Sequence, residues 1–279
     1  MTAVLLALTA SLAWGIADFG GGSAARRQPT LTIMLFLRLG GVATMTVVVL
    51  ATSAPWLGDR WPFAVGSALA AMGGVFSLLR ALAIGPMGVT APIVAASGAV
   101  PAVAGLFGGD APSGGMLLGL AVAAAGAVIA SRAPGHDGER ANPTGIAYAL
   151  AAATLFGVNL LLVHQAAEAS AVTAVLVQRI TEVIGITLLL LLTRARPAPA
   201  PGTVPILLGL GVLEGVALSS YAAASTHGPL TLAAVLSSLY PAVTVLLARA
   251  FHHERLARGQ AVGAALTLGG VALVVAMSA

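Results

Sequence analysis

The sequence predicts an all-α polytopic membrane protein, with ten transmembrane helices built as two inverted five-helix repeats around a central cavity. Three observations predict this class. The chain of 279 residues is 58% hydrophobic and 8% charged, against about 25% charged in an ordinary soluble domain, and its mean hydropathy is +1.00. So little polar surface cannot cover a water-soluble globule. Apolar stretches of about 20 residues recur along the chain, each able to cross roughly 30 Å of hydrocarbon at about 1.5 Å per residue. Finally, motifs of the first half return in the same order in the second.

The ten stretches run 3–22, 31–52, 62–84, 89–108, 114–131, 144–165, 172–193, 204–225, 230–249 and 257–278. No positive region precedes the first, so it reads as a retained span and not as a cleaved signal. The longest polar connection, "RAPGHDGERAN" from Arg132 to Asn142, lies near the middle. It divides the chain into a first repeat (1–135), a linker (136–143) and a second repeat (144–279).

The halves correspond motif by motif. "WG" at Trp14-Gly15 answers "FG" at Phe156-Gly157, and "FLRL" with Arg38 answers "VQRI" with Arg179. "GP" at Gly85-Pro86 answers Gly228-Pro229, and "SGAVPAV" answers "SSLYPAV", aligning Pro101 with Pro241. Gly119 and Gly126 answer Gly263 and Gly270, each pair seven apart. An odd number of spans per copy makes the second copy sit upside down, the plan of secondary transporters, whose site lies near the midplane between the repeats.

Other classes are poorly served by the composition. All 13 basic residues are arginine, none in a run with interleaved aromatics, so no nucleic-acid partner is expected. There is no cysteine, hence no thiolate metal site or redox role. "FHHERL" places His252, His253 and Glu254 consecutively; their side chains would diverge on a helix, so we expect no metal there. "AASGAV" superficially resembles the serine motif of intramembrane proteases, but no later span carries a histidine at mid-depth to act as base, so no enzyme is expected. No cofactor or nucleotide motif is present. The expected partners are a small-molecule substrate and the lipid bilayer, with the protein a monomer or weak dimer in a cell (inner) membrane. Loops after the first, fifth, seventh and ninth stretches hold Arg26, Arg27, Arg132, Arg140, Arg194, Arg196, Arg255 and Arg258, against Arg60 opposite. That bias places the first set in the cytoplasm and both termini outside.

Candidate site residues follow from depth. Glu182 and Glu214 fall at the centres of the seventh and eighth stretches, and Arg38 and Arg179 within roughly 6 Å of the midplane at 1.5 Å per residue. A carboxylate there costs about 2.5 kcal/mol or more unless it is paired, protonated or wetted. Arg179 and Glu182, at i and i+3, share one helix face. They read either as a self-neutralising packing pair or as a site for substrate or proton. Glu214 has no charged neighbour on its own helix; it is either a proton site or the partner of Arg38, Arg80 or Arg179. Asp18 follows Trp14 by one turn and reads as the mouth of a cavity beside an aromatic platform, or as a partner of Arg38. Asn159, Tyr221 and Phe156 are further wall candidates, and Arg80 a candidate carboxylate binder or a snorkelling helix-end residue. Pro101 and Pro241 each free the carbonyl four residues back, on Ser97 and Ser237, which open to a cavity or are satisfied by neighbours.

These residues together resemble the drug/metabolite transporter superfamily, EamA type. The resemblance rests on "WG" in the first span, an arginine in the second, "P-x-x-x-x-L" in the fourth and ninth, and an acidic "E-R" turn before "G-x-x-L-x-x-x-G". "SSLYPAVTVLLARAFHHERLARGQAVGAALTLGGVALV", Ser237 to Val274, carries it most fully. The resemblance implies two inverted five-helix repeats, with spans 1–4 and 6–9 around a cavity and 5 and 10 peripheral. It implies transport of small metabolites, often export of amino acids or other metabolites, with drug-like compounds and nucleotide sugars elsewhere in the superfamily; multidrug or cationic-compound efflux by proton antiport is the alternative. By position, Trp14, Arg38, Phe156 and Arg179 fall on cavity helices and Pro101 and Pro241 at helix breaks. It also implies cytoplasmic termini, opposite to the arginine bias, and the first-half acidic turn departs from the pattern, with Asp110 where the second half has Glu254. A zwitterion would suit the residues: Arg38 or Arg179 for its carboxylate, Glu182 or Glu214 for its ammonium and for proton coupling. A second possibility from another class is a membrane scaffold or sensor whose charges are dry packing pairs.

Overall fold

The computed structural model describes residues 1–25, 28–84, 113–131 and 143–237, with Val94, Ala96–Gly98, Val100, Pro101, Ala104, Gly105 and scattered positions from Leu239 to Met277. Among them are eight α-helices: α1 Thr2–Ala25, α2 Thr30–Thr52, α3 Trp61–Ile84, α4 Gly114–Ser131, α5 Pro143–Ala167, α6 Ala171–Thr193, α7 Val204–His227 and α8 Leu230–Ser237. Short 3-10 turns cover Gly58–Arg60 and Ala96–Gly98. Six helices (α1, α2, α3, α5, α6 and α7) are long and apolar enough to cross a membrane. They match the corresponding predicted stretches to within a few residues. Gly85-Pro86, Asp110, Pro241, His252–Glu254 and the linker core 132–142 lie outside the described residues, as do most of the fourth and tenth stretches.

The helices are sorted by side-chain size. Their inward faces carry small residues: Ala7, Ala10, Ala149, Ala152, Ala174, Ala217 and Ala222 are fully buried. Outward faces carry Leu50, Leu188, Leu191, Leu192, Ile184 and Ile206, all exposed. Water would not tolerate that coat, whereas lipid does, and in lipid small residues are what let helices approach closely.

The packing runs across the sequence halves. α1 packs on α7 and α3 on α5; α2 contacts both α6 and α7, and α3 also meets α6, whereas α1 and α2 scarcely touch each other. Glycines set the closest approaches. A Cβ at Gly40 of α2 would strike the Leu208 carbonyl of α7, and one at Gly211 of α7 would strike the Leu37 carbonyl of α2. The two backbones are therefore in mutual contact on either side of Arg38 and just before Glu214.

Connections meet in pairs at the two ends. At one end the α6–α7 connection caps the start of α2: Ala198 N–H donates to Thr32 Oγ1 (3.1 Å) and Ala200 N–H to Gln28 Oε1 (3.1 Å). At the other, Thr173 Oγ1 donates to the Pro55 carbonyl (2.9 Å), and Arg60 donates to the Gln165 carbonyl (2.9 Å) while pairing with Glu168. α2 and α6 stop alike, each on a left-handed residue, Ser53 (φ 49°) and Arg194 (φ 55°), whose N–H returns to the last turn.

Candidate functional site

The cross-half packing encloses a cavity of about 260 Å³. It is reached by side chains from α1, α2, α3, α5, α6, α7 and α8, and from the segment around Ser97. Ten of the twelve candidate residues line it: Trp14, Asp18, Arg38, Ser97, Phe156, Asn159, Arg179, Glu182, Glu214 and Ser237.

Four charges from three helices form its polar floor. Glu182, on α6, accepts from Arg179 Nη1 at 2.6 Å and lies 2.9 Å from Arg38 Nε. Arg38 also pairs with Glu214 of α7, and Arg179 Nη2 stands 3.8 Å from the same carboxylate. Both arginines thus bridge both glutamates. The cluster is deeply set: the side chains of Glu182 and Arg179 are 2% and 4% exposed, those of Arg38 and Glu214 12% and 15%. Arg38 Nε approaches Glu182 without hydrogen-bond alignment, so the Arg179–Glu182 contact is the better directed of the two. Gly41 admits the Arg179 side chain, since a Cβ there would lie 3.3 Å from Arg179 Cδ. Gln178 extends the network, its Nε2 donating to Asn159 Oδ1 (3.0 Å) and to Glu182 Oε1 (3.5 Å). Buried charges of opposite sign repay their desolvation only when paired this closely, which is how the bundle tolerates them at mid-helix.

Aromatic side chains make the opposite wall. The Trp14 ring meets the Tyr240 ring edge-on, centroids 6.1 Å apart, and tilts against the Tyr221 ring at 6.2 Å. Phe156 is seated over Gly74, where a Cβ would lie 2.7 Å from the ring. Ser97 lines the cavity, and its carbonyl, the one opposite Pro101, lies close over Gly157 of α5, where a Cβ would be 2.8 Å away. Ser237 turns its hydroxyl back to the Ala233 carbonyl (2.6 Å), so its donor is already used. Pro241 falls outside the described residues.

Two candidates are placed elsewhere. Arg80 is exposed, its guanidinium 5.8 Å from the Phe76 ring centre, and it does not line the cavity. Phe76, one helical turn earlier, gives it a cation–π partner on the outer face. Tyr221 is fully buried behind Trp14, donating to the Leu160 carbonyl (3.2 Å). It supports the wall without forming it. The pairing of Asp18 with Arg38 is also absent: among the described residues no ion pair to Asp18 forms, because Arg38 is engaged by the two glutamates. Gln178 and Tyr240 are wall residues that the sequence reading missed. Gln178 had a signal, standing one helical turn before Glu182 on the same face.

Residues 143–276 match the model of the EamA-like transporter family. No curated protein matches the chain. Among solved structures, one described only as the crystal structure of a protein is 22% identical, with 97% of this chain and 94% of its own length covered and a TM-score of 0.80. At that identity the likeness concerns the fold, and it extends over both halves.

Proposed function

Because residues 143–276 match the EamA-like transporter family, part of the drug/metabolite transporter superfamily, we propose that the protein is a secondary transporter exporting small metabolites such as amino acids. It is a multi-pass membrane protein; the inner membrane is the site we assign. The observation that carries the reading is the cavity at the junction of the two halves, floored by four mutually paired charges and walled by aromatic rings. A volume of about 260 Å³ suits a solute of amino-acid size.

We read the architecture as ten helices in two inverted repeats. In support, exchanging the halves maps the α1–α7 contact onto the α3–α5 contact and the α2–α7 contact onto α3–α6. Equivalent connections lie at opposite ends, the α1–α2 connection meeting α6–α7 and the α2–α3 connection meeting α5–α6. Rocking of the interlaced halves would expose the cavity alternately to each side. Glu214, the more exposed of the two cluster carboxylates, is the one a proton from the cavity would reach; its release from Arg38 would couple proton binding to rearrangement of the cluster.

The test is reconstitution of the purified protein in liposomes loaded with radiolabelled amino acids, with an imposed pH gradient. Gradient-dependent flux that Glu214→Gln abolishes supports the reading. Flux with unchanged pH dependence in that variant removes Glu214 from coupling, and no flux of any small solute leaves the scaffold alternative.

A further inference from the structure

The two arginines and two glutamates of the cluster cancel, each with an opposite charge in reach. Asp18 stands outside this balance. It belongs to the membrane-crossing α1, yet it is exposed, lines the cavity, and has no ion pair among the described residues. A carboxylate at such depth is sustained by a wet cavity or by a cationic solute.

A second, independent group points the same way. Gln178 is 1% exposed and lines the cavity. Its Nε2 is committed to Asn159 and Glu182, which fixes the amide orientation and leaves Oε1 a buried acceptor with no partner among the described residues. Three buried donors also lack an aligned hydrogen bond: Arg38 Nε and Nη1 face the carboxylates of Glu182 and Glu214 with which they are ion-paired, and Arg179 Nε lies beside Gly41 of α2, where a Cβ would be 3.5 Å away. The cavity therefore offers acceptors, one carboxylate without an ion pair among the described residues, and the aromatic side chains of Trp14, Phe156 and Tyr240. The group complementary to all of these is an ammonium, which carries three donors, no acceptor and a charge that aromatic faces attract.

We propose that Asp18 and Gln178 Oε1, with the aromatic wall, form a binding site for the protonated amine of the solute, so that a cationic amine binds better than a zwitterion or anion of the same shape. The proposal rests on the transport reading for the identity of the cavity and names the class of cargo. A carboxylate entering with the amine would meet only arginines already paired.

A charge series of constant shape tests this: phenethylammonium, phenylalanine and hydrocinnamate, measured by equilibrium dialysis against the purified full-length protein in nanodiscs. The expected order is cation, then zwitterion, then anion, with Asp18→Asn weakening phenethylammonium by about tenfold, as loss of its charge partner implies. Equal binding of the three probes, tighter binding of phenylalanine, or an unchanged affinity in Asp18→Asn overturns the proposal. If Asp18→Asn does not purify as a folded protein, the wild-type order decides by itself. Dialysis requires no flux, so binding without transport would sink the transport reading and leave the site, whereas transport without charge preference would sink the site and leave the transport reading.

Discussion

Replacing Glu182 by Gln is the most discriminating perturbation of the charge cluster. Its carboxylate is 2% exposed and holds Arg179 at 2.6 Å and Arg38 at 2.9 Å. Without it, two guanidinium groups share Glu214, and one positive charge is left buried without compensation. Breaking a buried pair from one side costs about 3–5 kcal/mol. Glu214 is 15% exposed and 3.8 Å from Arg179, so its loss falls in the range of a charged hydrogen bond, about 1.5–3 kcal/mol. At about 2–4 °C per kcal/mol, Glu182→Gln lowers the melting midpoint by at least about 6–12 °C and Glu214→Gln by less. Unfolding in detergent is governed by rate, so all variants are scanned at one heating rate by intrinsic fluorescence. The double variant Glu182→Gln/Arg179→Gln restores neutrality and keeps the Arg38–Glu214 pair. It should melt above Glu182→Gln alone, the non-additivity expected of groups in one network. A Glu182→Gln midpoint within about 2 °C of the parent, or a double variant that costs the sum of the singles, would refute the reasoning.

Three further outcomes are expected. Gly40→Val and Gly211→Val each drive a side chain into a facing backbone carbonyl. Each should lose about 1–3 kcal/mol of stability by overpacking, seen in the same thermal scan, and should lower flux by separating Arg38 from Glu214. Because the chain has no cysteine of its own, Glu214→Cys on the cavity wall should react with a charged methanethiosulfonate on the order of tenfold faster than the buried Tyr221→Cys; equal rates would mean a dry contact. Arg80→Gln should leave transport within about twofold, since substitutions at exposed positions usually matter by no more than about 0.5 kcal/mol; a large loss in the liposome assay would return Arg80 to the site.

Much of this arrangement could be read from residue order, because depth in a bilayer is a one-dimensional property. Counting along a helix places Glu182 and Glu214 near its middle, and i, i+3 spacing brings Arg179 to Glu182. Rotation about the helix axis and the neighbour it faces are three-dimensional, and they decide the rest. Nothing local says that Arg38 meets both glutamates in preference to Asp18; that follows from the glycine contact between α2 and α7. Tyr221 lies two turns beyond Glu214 and so on the same face, but about 10 Å further along the axis at 1.5 Å per residue, which carries it past the cavity and behind Trp14. Depth alone makes Arg80 a candidate, whereas its rotation about the helix axis turns it outward beside Phe76, one turn earlier.

The reach of Arg38 across to the other half has a consequence for biogenesis. α2 leaves the ribosome with its guanidinium before either glutamate has been synthesised, and half the polypeptide must follow before Glu182 emerges. A lone arginine at such a depth costs about 2.5–3.5 kcal/mol on the insertion scale, to be carried by the leucines, valines and methionines around it, whose stretch has a mean hydropathy of 2.1. The nascent first half is therefore a metastable guest of the translocon, waiting for its countercharge, and a stop codon before α6 would leave a fragment primed for membrane quality control.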